Sequence, residues 1–315
     1  METMNKNLFI SNFSMKKFLQ RLVLFGLVFF VLDKLFYVFL YMAPNLEVDK
    51  RLELLLNGKI NKEVIVMGSS RGAYNVIASQ IEKETGKSAY NISYAGSTIQ
   101  FHTFLLKTLL KYNKRPSIIV LSLDNPHELL FDKTLNFRLD RLYPLEKYNY
   151  INQELINQND KNRLSWFLCL ARLNKSSFTF TKKKRALESP LLACGSMPFL
   201  EGFSKKKLFF DEKEKLYLAS EELGDKRKAF LEFQYICNIN KIRLIYCFAP
   251  NFRVYNSALE KRIKSIMIPE NRIFIYDTTN QKYKNKDYFH DDSHLNIRGA
   301  KLFTTELSNF INLSK

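Results

Sequence analysis

The chain has 315 residues, of which 46% are hydrophobic and 25% are charged, the balance of an ordinary globular protein. This composition excludes a disordered chain, a collagen-like fibre and a polytopic membrane protein. Its 49 Lys and Arg residues outnumber 31 Asp and Glu residues, giving a net charge of +18, but no nucleic-acid recognition motif accompanies the charge. We therefore expect no nucleic-acid partner.

The basic residues are spread along the chain and indicate a solvated basic surface, with short clusters at 182–185 and 205–207. The four cysteines include no CxxC pair and only four histidines are present, which argues against a disulfide-dense scaffold and a Cys/His zinc site. Neither GxGxxG nor GxxxxGK[ST] occurs. We expect neither a metal nor a cofactor.

The first long apolar run covers residues 22–42 and is broken only by Asp33 and Lys34. As a helix it would be about 31 Å long, enough for a bilayer core. Each charge costs about 2.5–3.5 kcal/mol at mid-helix, which roughly cancels the gain from the apolar residues. The two charges would snorkel, pair with each other or face a partner helix.

The basic residues before this run predict its orientation: Lys6, Lys16, Lys17 and Arg21. By the positive-inside rule, residues 1–21 are cytoplasmic, 22–42 form a single-pass anchor, and 43–315 form an extracytoplasmic domain. A cleaved signal peptide and an amphipathic surface helix are the alternatives. No small-x-small cleavage site follows the run, which favours an uncleaved anchor.

The next segments alternate between strand and helix patterns. Short β-branched or apolar runs predict strands at 63–67, 89–92 and 117–123, and helices are predicted at 73–85 and 98–113. This βαβαβ order predicts a parallel sheet with crossover helices.

The alternation of strand and helix patterns stops at residues 126–210, which we interpret as a partly helical insertion over the sheet. It then resumes as a helix at 211–240, strands at 242–248 and 272–276, and helices at 256–267 and 296–312. The predicted fold is therefore α/β and flavodoxin-like, with a five-stranded parallel sheet and a large insertion after strand three. Its active crevice lies at the carboxyl ends of the strands.

Three sites fall where such a crevice requires them. Gly68-Ser69-Ser70 ends strand one, the stretch from Asn91 to Gly96 ends strand two, and Asp291-Asp292-Ser293-His294 precedes the last helix. A histidine can take the proton of a serine hydroxyl, and a carboxylate can orient that histidine and stabilise the imidazolium. The pattern therefore predicts a nucleophilic serine served by a single Asp-x-x-His turn.

Other interpretations of these residues stay open. Ser69 and Ser70 could be helix N-caps, and Asp292 is the second candidate carboxylate. His290 lacks the Asp-x-x-His relation, and His102 and His127 are interpreted as structural or exposed. Arg71, beside the serine, would either hold an anionic substrate or pair with a carboxylate.

Four blocks carry a family resemblance: VIVMGSSRGAYNV (64–76), YNISYAGSTIQ (90–100), IIVLSLDNPHEL (118–129) and DDSHLNIRGAKLFT (291–304). In order and spacing they resemble the SGNH/GDSL hydrolase superfamily, which implies a three-layer sandwich. They are most similar to its membrane-anchored branch, acyl-transfer and acyl-esterase proteins of bacterial cell-surface glycans. The blocks cover about 60–125 and 240–312, and the last one is the most specific.

The resemblance implies a role for each matching residue. Ser70 would be the nucleophile, His294 the general base and Asp291 its orienting carboxylate, with oxyanion donors from the N–H groups of Ser70 and Gly96. The third donor is usually an Asn, but here Asp124 stands at that position and Asn125 is the neighbouring candidate. Losing one donor typically costs about 10²–10³ in rate.

The function implied is a serine-dependent acyl esterase or O-acyltransferase in the cytoplasmic membrane of a bacterium. It would modify a surface polysaccharide through an acyl-Ser70 intermediate, with a multi-pass membrane O-acyltransferase as a donor partner. Two alternatives stay open. One is a catalytically silent SGNH-fold scaffold of a glycan-assembly complex, and the other is a free-standing esterase that uses its anchor only for retention.

Overall fold

The computed structural model describes residues 15–42, 49–173, 189–200, 208–214 and 216–313. Five strands form an all-parallel sheet in the order β2-β1-β3-β4-β5, which confirms the predicted sheet. This order is the flavodoxin-like one, with the direction of winding changing between β1 and β3. The strands are β1 (Val64–Gly68), β2 (Ala89–Asn91), β3 (Ile118–Ser122), β4 (Arg243–Phe248) and β5 (Arg272–Ile275).

The described residues also form α-helices. They are α1 (Met15–Met42), α2 (Arg51–Leu56), α3 (Ser70–Asn75), α4 (Ala78–Thr85), α5 (Ile99–Tyr112), α6 (Leu139–Leu142), α7 (Asn149–Asn157), α8 (Gly224–Ile239), α9 (Ser257–Ile266) and α10 (Ile297–Leu313).

Alternation along the strands places helices on both faces of the sheet. The strands β1 and β3 are buried at every position, as expected for the centre of a parallel sheet. One face packs on α4 and α10, and on the other face Tyr246 of β4 stacks on Phe230 of α8, with ring centroids 5.2 Å apart. The first face contributes Val64, Val66, Ile118 and Val120 to a cluster with Ile81, Phe303 and Leu307.

The single helix predicted at 73–85 is wrong. The helices α3 and α4 are separate, because Val76 and Ile77 have extended backbones. Distant side chains bind this break: the amide of Asn91 donates to the carbonyl of Val76, and the N–H of Ile77 donates to Thr304.

The helix predicted at 211–240 is also wrong in its first half, since α8 begins at Gly224. Asp211 instead forms a parallel bridge to Arg253, and its carbonyl accepts a hydrogen bond from the N–H of Val254. This pairing competes with helix formation because it uses the same backbone groups.

The chain divides into two compact units. One contains Met1–Glu47 and Leu139–Lys183, and the other contains Val48–Arg138 and Lys184–Lys315 with the whole sheet. The predicted insertion 126–210 is thus divided between them. The basic clusters at 182–185 and 205–207, together with Lys6, lie outside the described residues.

Across the residues that the structure describes, no helix combines the length and the apolar character needed to cross a bilayer. The anchor at 22–42 stays a prediction.

Candidate active site

Ser70 is the first residue of α3, directly beyond the carboxyl end of β1. The tight exit from β1 depends on Gly68, whose φ is +150° and where an added Cβ would lie 2.6 Å from the carbonyl oxygen of Ser122. Ser69 is the N-cap of α3, since its hydroxyl accepts the N–H of Arg71 at 3.4 Å. Ser69 therefore has the capping role, and the hydroxyl of Ser70 bonds elsewhere.

Three predicted residues form one hydrogen-bonded chain. Nε2 of His294 lies 2.8 Å from Oγ of Ser70, and Nδ1 of the same ring lies 2.9 Å from Oδ2 of Asp291. This is the arrangement in which an imidazole accepts a serine proton while a carboxylate fixes its orientation. The rings of Tyr74 and Phe199 pack beside the imidazole, with centroids at 5.3 and 5.9 Å.

The Asp291 carboxylate is held by its own turn. Its Oδ1 accepts the backbone N–H groups of Ser293 and His294, both at 2.8 Å. Burial raises the pKa of this carboxyl, but the hydrogen bonds from the His294 ring and these N–H groups outweigh it and lower the pKa to about 2. The group is therefore ionised at neutral pH.

The two competing residues in this loop are placed differently. The carboxylate of Asp292 accepts the hydroxyl of Ser293 at 3.0 Å. The ring of His290 stacks on Phe199, with centroids 3.8 Å apart. Asp291 and His294 are thus the pair that reaches Ser70.

Gly96 lies on the same cavity as Ser70. Its φ is +72°, and an added Cβ would come 3.1 Å from the carbonyl oxygen of Thr134. Within the described part of the chain, no residue accepts a hydrogen bond from the backbone N–H of Ser70 or Gly96. Both residues line the cavity.

Arg71 pairs with a carboxylate, one of its two predicted roles. Its Nε lies 3.7 Å from Oδ1 of Asp124, and its Nη1 donates to the carbonyl of Ser293. Burial raises the pKa of Asp124, and the guanidinium opposes that rise. Glu128 accepts the N–H of Asp124 at 2.8 Å, so a second buried carboxyl lies behind the first.

The remaining predicted residues have structural partners. The amide of Asn125 donates to the carbonyl of Asn256 at 3.2 Å, so its role as an oxyanion donor stays a prediction. His102 is buried, its Nε2 lies 2.8 Å from Oγ of Ser97, and burial lowers its pKa to about 3. His127 lies at the cavity edge, with Nδ1 3.8 Å from Asp132.

The cavity beside Ser70 has a volume of about 420 Å³. Several of its lining residues belong to none of the predicted sites. Asn251 and Arg253 lie in the loop after β4, which ends at Phe248, so the rule that crevices lie at strand carboxyl ends would have indicated them. The others, Asp132, Thr134 and Leu135, lie in a loop without a pattern of its own.

Among the described residues, no group of three His, Cys, Asp or Glu side chains is placed to hold a metal ion. In comparisons with known proteins, no protein-family model and no curated protein matches the chain.

Proposed function

We propose that this protein is a serine-dependent acyl esterase or O-acyltransferase of the SGNH type that acts on a cell-surface polysaccharide. The observation that carries the proposal is the chain Ser70–His294–Asp291, with links of 2.8 and 2.9 Å, at the edge of an open cavity. A structural serine needs neither a histidine nor an ionised carboxylate behind it.

In the proposed reaction, Oγ of Ser70 attacks the carbonyl carbon of an acyl ester while Nε2 of His294 takes the hydroxyl proton. Asp291 stabilises the imidazolium, and the N–H groups of Ser70 and Gly96 stabilise the tetrahedral oxyanion. The intermediate collapses to acyl-Ser70, and His294 returns its proton to the departing alkoxide. Water or a sugar hydroxyl then releases the acyl group by the reverse sequence.

One feature supports the SGNH assignment, and a second supports attachment to a membrane. The flavodoxin-like strand order puts Ser70 after β1 and Asp124 after β3, beside the point where the winding direction changes. The apolar run at 22–42, with basic residues before it, supports attachment to the bacterial cytoplasmic membrane and an extracytoplasmic site. A multi-pass O-acyltransferase is the proposed donor partner.

Covalent labelling of the full chain in detergent tests the chemistry. We expect a fluorophosphonate probe to label Ser70, identified by mass spectrometry, and Ser70→Ala to abolish both labelling and hydrolysis of a chromogenic acetyl ester. Ser265→Ala is the matched control, because its exposed hydroxyl bonds to Arg262, donating to the carbonyl at 2.7 Å and accepting Nη1 at 3.4 Å. Full activity in Ser70→Ala, or a label on another residue, would overturn the proposal.

The same site could be catalytically silent and serve as a scaffold for a glycan-assembly complex. The feature that favours this second candidate is Asp124, an acid paired with Arg71 where the resemblance implies a neutral oxyanion donor. Absence of covalent labelling in the folded protein would favour the scaffold, and labelling at Ser70 would exclude it.

A further inference from the structure

The first half of α1 is uncovered on every side. The apolar side chains from Phe18 to Leu32 include Leu24, Phe25, Val28 and Val31, which are exposed by 62%, 68%, 50% and 55%. Successive helical residues are about 100° apart, so the exposed apolar residues at 18, 19, 22–25 and 27–32 together cover the whole circumference. A helix that is apolar all round requires an apolar environment.

Asp33 interrupts this apolar surface, since its side chain is completely buried within the same unit, while Leu35 and Val38 beyond it are again exposed by 60% and 54%. Its carboxylate oxygens accept the backbone N–H groups of Cys169 and Leu170, each at 2.9 Å. The neighbouring Lys34 donates to the carbonyl of Phe167 at 2.5 Å. We call these five residues the polar clip. It satisfies the charges of Asp33 and Lys34 together with three backbone groups of an irregular segment.

The segment bound by the clip has polar groups inside and apolar groups outside. It contains two 3₁₀ turns, Arg163–Trp166 and Leu170–Arg172. The Arg172 guanidinium is turned inward, donating to the carbonyl of Ser165 and to the side chain of Asn149, both at 2.8 Å. The outward apolar side chains are Leu164, Trp166, Phe167 and Leu170, exposed by 56%, 45%, 67% and 39%, with the exposed Arg163 beside them. A loop in water has the opposite distribution.

From this arrangement we propose that the outward face of 164–170 and the uncovered turns of α1 form one lipid-contacting surface, with the segment embedded in the bilayer interface beside α1. Irregular backbone tolerates lipid only where its hydrogen bonds are made within the protein, and the polar clip makes them. Tryptophan is the residue typical of that interface.

The lengths agree with this placement. From Lys17 to Asp33 the helix rises about 24 Å, about 6 Å less than a hydrocarbon core of about 30 Å, so when the basic residues mark one side the polar clip lies near the other. Lys and Arg side chains near the helix start, Lys16, Lys17 and Arg21, suit anionic headgroups.

Trp166 is the only tryptophan of the chain, so its fluorescence reports on this segment alone. The test uses the full chain reconstituted into phosphatidylcholine–phosphatidylglycerol vesicles, with and without brominated acyl chains. We expect Trp166 emission to be blue-shifted, to lose intensity in brominated vesicles and to resist aqueous iodide. Quenching by iodide instead, or protection from both quenchers as at a protein interface, would overturn the proposal.

Variants test whether the polar clip, and not membrane attachment alone, places the segment 164–170 in the lipid. Asp33→Leu removes the acceptor of both N–H groups, so we expect less quenching by brominated lipid and more by iodide. Asp160→Asn, which alters an exposed carboxylate of the same unit, is the control and should match the wild type. Unchanged quenching in Asp33→Leu would refute the role of the polar clip.

This inference rests on the membrane attachment in the proposed function but not on the acyl chemistry. Vesicle flotation measures attachment independently. Protein that floats while Trp166 escapes the brominated lipid contradicts the inference alone, and protein that does not float contradicts the proposed attachment as well.

Discussion

Nε2 of His294 lies 2.8 Å from Oγ of Ser70, although 224 positions separate the two residues in the chain. The parallel sheet brings Ser70 to the carboxyl end of β1, and the turn before α10 carries His294 to the same edge. The side chain of Asn75 fixes the approach by accepting the N–H of Leu295 at 2.9 Å. The geometry of the proposed nucleophile is therefore a property of the whole sheet unit.

Asp291→Asn should lower kcat for a chromogenic ester by about 10⁴, the loss found when the orienting carboxylate of a Ser-His-Asp triad becomes an amide. The amide cannot favour the tautomer that accepts a proton from Ser70. Asp292→Asn is the matched control, because its carboxylate binds Ser293 and not the His294 ring. Equal losses in the two variants would contradict the assignment of Asp291.

The ionised Asp291 should stabilise the folded state in a pH-dependent way. Its pKa is lowered from 3.8 to about 2, so its contribution is complete above about pH 4 and is lost as the pH falls towards 2. Allowing for its partial exposure, we expect about 1–2 kcal/mol. Urea denaturation of wild type and Asp291→Asn should show a gap in unfolding free energy that narrows below about pH 4. A difference in unfolding free energy that stays constant with pH would contradict the stabilising role of the ionised Asp291.

The buried Glu128 should change the free energy of unfolding with pH in the direction opposite to Asp291. Burial and the neighbouring Asp124 charge raise its pKa from 4.5 to about 8, so the folded state keeps a proton that the unfolded chain has lost. Its contribution to the free energy of unfolding is therefore present below about pH 4.5 and is lost as the pH rises to about 8.

Glu128→Gln should remove this component of the pH dependence, because the amide oxygen can still accept the N–H of Asp124. Urea denaturation between about pH 5 and pH 8 measures it. The exposed Glu221→Gln should keep the slope of the wild type. The same slope in Glu128→Gln would show that another group titrates.

Gly299 in α10 should not tolerate a side chain. An added Cβ would lie 2.2 Å from the carbonyl oxygen of Tyr288, a backbone atom that cannot move aside cheaply. We expect Gly299→Ala to lower the free energy of unfolding by about 1–3 kcal/mol. Gly224→Ala is the control, because no atom lies within 4 Å of its added Cβ. That variant should be neutral or more stable by about 0.4–1 kcal/mol.

The strands and the last helix could be predicted because local pattern determines them. Runs of β-branched and apolar residues around Ile65 and Ile119 match the buried strands, and α10 is amphipathic with Asn296 capping its first turn. The helix break at Val76 could not be predicted in this way. It depends on hydrogen bonds from Asn91 and to Thr304, which lie far away in sequence.

The sequence by itself determined the candidate residues for the proposed acyl chemistry: Ser70 after a strand, and Asp291 and His294 within one turn, where three residues of spacing suffice for contact. Only the tertiary structure decided that Arg71 pairs with Asp124 and that Asp33 binds the backbone at Cys169 and Leu170. Hydrophobic periodicity records which face of an element is buried. It carries no information on which distant polar group a buried charge meets, because that depends on how the elements pack.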